Sequence, residues 1–210
     1  MIVTFQNIND ETITSKQANL LDEYTKVYSN NGLVKKEEEY FDQSLGYITY
    51  YLDSNENETD TASQFSSLGV KFSIITKVAT GTFSLENVNE YSGNVIIFKS
   101  RYLYDQDNSE IGEEHIDIVT NSPQYEQTEK YYYDFTMEDF FPMFTAYYNA
   151  DGSLDYIAYD SYRFDGQDEI VFSIDGTPGI NDIPTLKEYL GLSDTQMNYY
   201  LTASLDTTPS

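Results

Sequence analysis

Apolar and polar residues alternate with a period of two along much of this chain, which is the pattern of half-buried strands. The clearest stretch is 144–175, and its last strand alternates Ile170, Phe172 and Ile174 with Glu169, Val171 and Ser173. Turn residues at 149–153 and at Asp165–Gly166 divide the stretch, because Asp and Asn bond their own backbone and Gly accepts positive φ. The pattern therefore predicts a three-stranded meander.

Similar alternation predicts further strands at 1–6, 33–41, 47–52, 70–78, 94–104, 111–120 and 125–135. The charged run Lys35–Glu39 falls inside one of them, and we expect it on a solvated face or a guarded edge. Asp53–Gln64 is polar without a period and is predicted to be a loop, one that does not fit the EF-hand template.

Helices are predicted near both ends of the chain. Thr14–Gln17 fits a capping box, and apolar residues follow at helical spacing until Asn30–Gly32: Leu20, Leu21, Tyr24, Val27 and Tyr28. Thr136–Asp139 can cap a short helix up to Pro142. Two short C-terminal helices are predicted over 184–190, ended by Gly191, and over 193–203.

These elements together predict an α+β fold: a largely antiparallel sheet, curved or in two layers, with an N-terminal helix and short C-terminal helices. No stretch has the composition of a linker. We therefore predict a single domain over residues 1–205, followed by a tail at 206–210.

The charge of the chain changes this picture by limiting its partners. The formal net charge is -25, and most of the excess acid lies in the C-terminal half. Such a field repels nucleic acid and anionic membranes and attracts basic proteins. No cysteine is present, which excludes disulfides, thiolate nucleophiles and Cys-ligated zinc. The start of the sequence lacks a basic and apolar signal segment, so we expect a soluble, cytoplasmic protein.

Candidate chemistry is sparse, since no phosphate-binding loop or nucleophile motif is present. His115 is the only histidine, and in a strand it shares one face with Glu113 and Asp117, which makes these three residues a candidate metal or acid/base site. Alternatively, Ile116 and Ile118 face the core and the three polar residues only face water. We predict no cofactor and no enzymatic activity.

Tyrosine is the other unusual feature, with 21 residues that fall mainly in predicted strands and helices. Tyrosine supplies rigid, amphipathic contact area at protein interfaces, although cross-strand packing also uses it. Aspartates and tyrosines of the C-terminal meander form our candidate partner-binding patch: Asp151, Asp155, Tyr156, Tyr159, Asp160, Asp165 and Asp168.

The leading hypothesis is a non-enzymatic acidic binding protein that occludes a basic, nucleic-acid- or phosphate-binding site on a partner protein. In size and charge the chain resembles the immunity proteins of bacterial toxin systems and the inhibitors carried by phages. This resemblance is one of composition and assigns no residue roles. The alternatives are a tyrosine-rich structural protein that assembles with itself, and a cation-binding or hydrolytic protein that uses Glu113, His115 and Asp117.

Overall fold

A computed structural model describes residues 1–133, 142–159, 170–173 and 182–209. The chain groups into two compact units, unit 1 with Met1–Val78 and Glu86–Lys99, and unit 2 with Ala79–Leu85 and Ser100–Ser210. Both consist mainly of strands with a few short helices. The prediction of a sheet-dominated fold is thereby confirmed, whereas its curvature or layering, and the single domain over 1–205, stay predictions.

Unit 1 contains most of the first ten strands and helices. In chain order they are β1 (Ile2–Gln6), β2 (Thr12–Ile13), α1 (Ser15–Ala18), β3 (Glu23–Asn30), β4 (Leu33–Phe41), β5 (Ser44–Tyr51), α2 (Glu58–Ser66), β6 (Lys71–Thr80), β7 (Phe83–Ser92) and β8 (Val95–Tyr104). Neighbouring strands are ordered β8-β7-β6-β5-β4-β3-β1-β2. One end of each of β6, β7 and β8 belongs to unit 2.

The pairing of β5 with β6 is parallel, and α2 lies in the crossover between them. This helix corrects the prediction of a loop over Asp53–Gln64. Asn57 caps it by accepting the backbone N–H of Asp60 at 3.1 Å. Ala62 and Phe65 then pack against the core of unit 1, whose other members include Ile48, Phe72, Ile74 and Tyr91.

The predicted N-terminal helix is only partly correct. The capping box of Thr14 and Gln17 forms, but α1 ends at Ala18, and the residues from Glu23 onward form β3. Tyr24 pairs with Tyr40 of β4, where their rings stack at 4.8 Å between centroids. Pairing on both sides, with β1 and β4, stabilises the strand.

The run Lys35–Glu39 is neither at an edge nor wholly solvated, because β4 lies between β3 and β5. Glu38 is buried, with 8% of its surface exposed. Its carboxylate accepts hydrogen bonds from the Tyr28 hydroxyl at 2.6 Å, the Tyr40 hydroxyl at 3.1 Å and Lys36 Nζ at 2.6 Å. Burial opposes ionisation, but these donors outweigh it and lower the pKa of Glu38.

Unit 2 contains the remaining elements. They are β9 (Glu110–His115), a 3-10 turn (Tyr125–Gln127), β10 (Glu129–Tyr132), β11 (Phe144–Tyr148), β12 (Leu154–Tyr159), β13 (Ile170–Ser173), α3 (Ile183–Leu190) and α4 (Asp194–Tyr200). The strand order is β13-β12-β11-β10-β9-β8, and each of these pairs is antiparallel.

The predicted meander is confirmed where the structure describes it, as β11, β12 and β13. Its first turn contains Gly152 at φ +82°, a conformation that glycine adopts without a steric penalty. The second turn, at Asp165–Gly166, and the helix predicted at 136–142 lie largely or wholly outside the described residues. The strand predicted over 125–135 begins later, because a 3-10 turn precedes Glu129.

Both predicted C-terminal helices are confirmed as α3 and α4. Gly191 ends α3 in the left-handed conformation at φ +66°, and Ser193 with Gln196 forms a capping box at the start of α4. Leu186, Met197 and Tyr200 pack with Phe144 and Ile157 in the core of unit 2. The two helices therefore cover one face of this sheet and do not cover the other.

Candidate functional site

The sheet of unit 2 has two chemically distinct faces, because alternate residues of each strand point to opposite sides. One face carries the core. The other carries half-buried polar and aromatic side chains, which we call the tyrosine–glutamate face: Tyr102 of β8, Glu113 and His115 of β9, Glu129 and Tyr131 of β10, Tyr147 of β11 and Tyr156 of β12.

Five of these residues form a single row across five strands. Tyr102 is the Cα partner of Glu113, and Glu113 is the partner of Glu129. Glu129 is in turn paired with Tyr147, and Tyr147 with Tyr156. Two glutamates therefore stand directly opposite each other between tyrosines. Directly opposed like charges destabilise a sheet, and a cation placed between them would relieve that repulsion.

Hydrogen bonds and ring contacts hold the side chains of this face in place. The Tyr131 hydroxyl donates to Glu129 Oε2 at 3.0 Å, and His115 Nε2 lies 3.1 Å from Glu113 Oε1. The rings of Tyr147 and Tyr156 stack with centroids 4.8 Å apart. The face thus presents oriented carboxylates beside flat aromatic rings.

The ionisable groups of the face are carboxylates, tyrosine hydroxyls and the imidazole of His115. Within the described parts of β8 to β12 in unit 2, the residues on this side are those of the face together with Ser100, Tyr104, Glu110, Thr145 and Ala158, and none is lysine or arginine. Burial, followed by the charges of Glu129, Glu110 and Glu113, raises the pKa of Tyr131. Its hydroxyl therefore stays protonated at neutral pH and remains a hydrogen-bond donor.

The structure places the predicted partner-binding patch only partly on this face. Tyr156 belongs to it, and Asp155 is exposed on the same strand. Asp151 is exposed in the β11–β12 turn, where its Oδ1 accepts the backbone N–H of Ser153 at 3.0 Å and the Ser153 hydroxyl at 2.6 Å. Asp160, Asp165 and Asp168 lie outside the described residues.

Tyr159 is a correction to that patch. It is only 4% exposed and packs in the core of unit 2. It lies three positions after Tyr156 along the strand, an odd number, so the two side chains point to opposite faces. Proximity in sequence wrongly grouped them.

The three residues of the candidate metal site are only partly brought together. Glu113 and His115 are neighbours on β9, but the strand ends at His115. Asp117 instead orders the following turn, accepting the backbone N–H groups of Val119 and Thr120 at 2.9 and 2.6 Å. Across the described ranges, no group of three carboxylate or histidine side chains is arranged to hold a metal ion.

A buried lysine on the core face went unrecognised in the sequence. Lys130 is 0% exposed, and its Nζ donates to the carbonyl oxygens of Tyr199, Thr202 and Ser204 at 2.7, 2.8 and 2.9 Å. The same atom lies 3.7 Å from the centroid of the Tyr199 ring. Lys130 thereby satisfies one carbonyl in the last turn of α4 and two carbonyls beyond it.

A second buried charge lies on the same face. Glu114 is 0% exposed, and its Oε2 accepts the Arg101 Nε–H at 2.5 Å, while Arg101 Nη1 donates to Asp206 Oδ1 at 2.7 Å. Burial raises the pKa of Glu114 against the pull of Arg101. Asp206, predicted to begin a tail, is thus anchored by an ion pair. The sequence held one signal of their burial: Glu114 and Lys130 fall at the alternate positions of their strands that face the core.

Comparison with protein-family models, with curated proteins and with solved structures found no match for this chain.

Within the part of the chain that the structure describes, the helices are all too short or too polar to cross a membrane.

Proposed function

We propose that this chain is a non-enzymatic acidic binding protein, which docks the tyrosine–glutamate face onto a basic surface of a partner protein. The single observation that carries this proposal is the directly opposed pair Glu113 and Glu129, half-buried between tyrosines. His115 lies beside Glu113, but no lysine or arginine accompanies the pair on that side of the described strands. Lysine or arginine groups of a partner would relieve the repulsion between the carboxylates as they bind.

The tyrosines suit the same role. Interfaces owe most of their affinity to a few buried aromatic or arginine side chains, and charges mainly set the encounter rate and specificity. The stacked pair Tyr147 and Tyr156 offers such an aromatic anchor at one end of the row. With a net charge of -25, long-range attraction also favours a basic target, such as a nucleic-acid- or phosphate-binding site that the acidic protein would occlude in the manner of an immunity protein or inhibitor.

The test is to capture the partner and then measure its affinity with matched variants. Wild-type protein is immobilised and exposed to lysate of the cells that produce it, at low and at ~0.5 M salt, where exposed charges are strongly screened. A basic protein retained at both salts is purified and titrated by calorimetry. We expect Glu113→Gln/Glu129→Gln to weaken binding by about 10- to 100-fold, or about 1.4–2.7 kcal/mol.

The matched control is Glu126→Gln/Glu188→Gln, because it removes two charges from exposed positions of unit 2 that are not among the residues of the face. It should change the affinity by less than about threefold, the size of a screened long-range effect. Equal losses for the two double variants would mean that only the net charge matters, and the proposed face would be wrong. Recovery of many basic proteins that all wash off at ~0.5 M salt would contradict specific docking altogether.

Self-assembly is a second candidate function, and a different observation favours it. β1 pairs with β3 over Ile2–Gln6, but with β2 only at Phe5 and Gln6. Ile2 is 66% exposed, and Leu33, in the adjoining hairpin, is 76% exposed. An apolar strand with a free edge is a template for pairing with a second copy. Light scattering during size-exclusion chromatography decides this: a monomer at all concentrations excludes self-assembly, and a defined oligomer lost in Ile2→Lys supports it.

A further inference from the structure

Unit 2 contains an open cavity of about 350 Å³ that the proposed docking face does not by itself explain. Its size lies within the range of ligand sites, roughly 300–1,000 Å³. The lining that matters chemically is aromatic and acidic, namely Tyr131, Tyr132, Tyr133, Tyr200, Asp105 and Asp107. Tyr131 contributes to this lining, although its side chain lies on the tyrosine–glutamate face, opposite to that of Tyr132.

The aspartates of the cavity are held by the turn that joins β8 to β9. Asp105 Oδ1 accepts the backbone N–H groups of Asp107 and Ser109 at 2.9 and 2.8 Å, which fixes the position of its carboxylate. Asp107 is exposed two residues later. Two aspartates of one turn therefore line the cavity, and the carboxylate of Asp105 is held in place before a ligand binds.

The chemistry of this lining selects a planar organic cation. Among the described lining residues none carries a positive charge, so the two aspartates have no counter-ion inside the cavity. Tyrosine rings attract cations through their faces. A guanidinium satisfies both features better than an ammonium, since it is flat, stacks on aromatic rings and donates in pairs to carboxylates.

We propose that this cavity receives an arginine side chain of the basic partner, with the guanidinium against the tyrosine rings and paired with Asp105 and Asp107. This inference rests on the proposed function, because it names the partner group that would be inserted next to the docking face. Arginine is a frequent centre of binding energy at interfaces. The cavity would therefore supply specificity for arginine, and the face would supply the wider acidic contact.

The first arm of the test uses small probes and needs no partner. Amide chemical shifts of the labelled protein are followed by NMR during titration with N-acetyl-arginine methylamide, with the lysine analogue and with the neutral citrulline analogue. We expect shifts at residues 105–109 and 131–133, and about tenfold tighter binding of the arginine probe than of citrulline. Equal responses to the arginine and citrulline probes would overturn the inference.

Variants test the aspartates of the cavity. Asp105→Asn/Asp107→Asn keeps side chains that can still form the turn, and should weaken binding of the arginine probe by about tenfold or more. The charge-matched control Glu126→Gln/Glu188→Gln should leave the binding of this probe unchanged. Asp107→Asn alone, at an exposed position, serves if the double variant fails to fold. An unchanged response in both aspartate variants would overturn the inference.

The second arm uses the captured partner and distinguishes a bound side chain from a free small molecule. If the partner binds about tenfold or more weakly to Asp105→Asn/Asp107→Asn, the inference is supported. If binding of the probe depends on these aspartates but binding of the partner does not, the cavity binds a free guanidinium compound. The proposal that it receives an arginine side chain of the partner would then be wrong. If the partner depends on Glu113 and Glu129 alone, the docking proposal survives and the cavity inference fails.

Discussion

At the scale of single residues, Lys130 shows how one buried charge stabilises unit 2. Its ammonium donates to three carbonyl oxygens at and beyond the C-terminal end of α4. We expect Lys130→Met to lower the free energy of unfolding by about 2–4 kcal/mol, because it leaves these acceptors buried without donors. Urea unfolding measures this, with Lys16→Met, an exposed substitution, as the control. A loss under about 1 kcal/mol would contradict the role.

Lys130 should also make the stability of the protein depend on pH. Burial lowers the pKa of Lys130 to about 7, although the Glu114 carboxylate acts in the opposite direction. Between about pH 7 and 10 the unfolded chain binds a proton at this lysine that the folded chain releases, so stability increases with pH. The difference between wild type and Lys130→Met should therefore grow from pH 7 to 9, by at most about 1.4 kcal/mol per pH unit. A flat difference would mean that the ammonium persists.

Gly112 makes room for the contacts around this lysine, since a Cβ there would lie 2.8 Å from Leu205 Cδ2 and 2.9 Å from Tyr199 Oη. We expect Gly112→Ala to destabilise the protein by about 1–3 kcal/mol, the usual result of overpacking a core. Adding Tyr199→Phe removes one of the two colliding atoms and should recover part of the loss. Thermal unfolding of the single and double variants measures both effects, and an unchanged midpoint in Gly112→Ala would contradict the packing.

At the scale of secondary-structure elements, we expect loss of a carboxylate charge from the tyrosine–glutamate face to stabilise the fold and to weaken partner binding. Glu129→Gln removes the repulsion from Glu113 but keeps an oxygen that can accept from Tyr131. We expect it to raise the free energy of unfolding by about 0.2–1 kcal/mol at low salt, and to weaken partner binding. Urea unfolding at low and high salt tests this, with Glu126→Gln as the control. A destabilised Glu129→Gln would show that the glutamate pair is structural.

Individual elements could be predicted from sequence where local chemistry and tertiary pairing agree. The two C-terminal helices were predicted because their caps, Ser193 and Gly191, are local signals. Residues 20–28 were misassigned because Leu20, Tyr24 and Val27 also fit a helical period. The competing strand is stabilised by partners distant in sequence, in β1 and β4, and no local pattern contains them.

At the scale of the whole molecule, the buried tyrosines predict an alkaline limit to stability. Burial raises the pKa of Tyr148, Tyr199 and Tyr200 above the ordinary value near 10. Above about pH 10 the unfolded chain therefore loses protons that the folded chain retains, and stability falls as pH rises. Tyr28, Tyr51, Tyr91 and Tyr131 are among the other tyrosines whose pKa is raised. Each such tyrosine adds about 1.4 kcal/mol per pH unit to the slope.

Circular dichroism between about pH 9 and 12 follows this unfolding, and tyrosinate absorbance reports ionisation directly. Tyr148→Phe provides the comparison, because it removes one titrating hydroxyl and should reduce the slope by about 1.4 kcal/mol per pH unit. Gradual ionisation of all tyrosines while the fold persists would contradict the prediction.

The type of surface at the candidate site could be predicted from the sequence, but most of the residues that form it could not. An acidic, tyrosine-bearing sheet face was expected from composition, and Tyr156 was among the residues named. Glu113 and Glu129 were not paired in that expectation, because they lie 16 positions apart in the chain and only the β9–β10 register brings them together. Tyr159 was wrongly included because its side of β12 is the core face, which α3 and α4 cover, and the local sequence does not show this.

By itself, the sequence determined a strand-rich chain, its helix caps, a large negative charge and the absence of cysteine chemistry, because these depend on residue type and on local spacing. Only the tertiary structure decided where charges and tyrosines meet. It buried Lys130, Glu114 and Glu38, ended β9 before Asp117, and aligned two glutamates with three tyrosines across five strands. Strand register sets such contacts, and register depends on the cooperative burial of residues far apart in the chain.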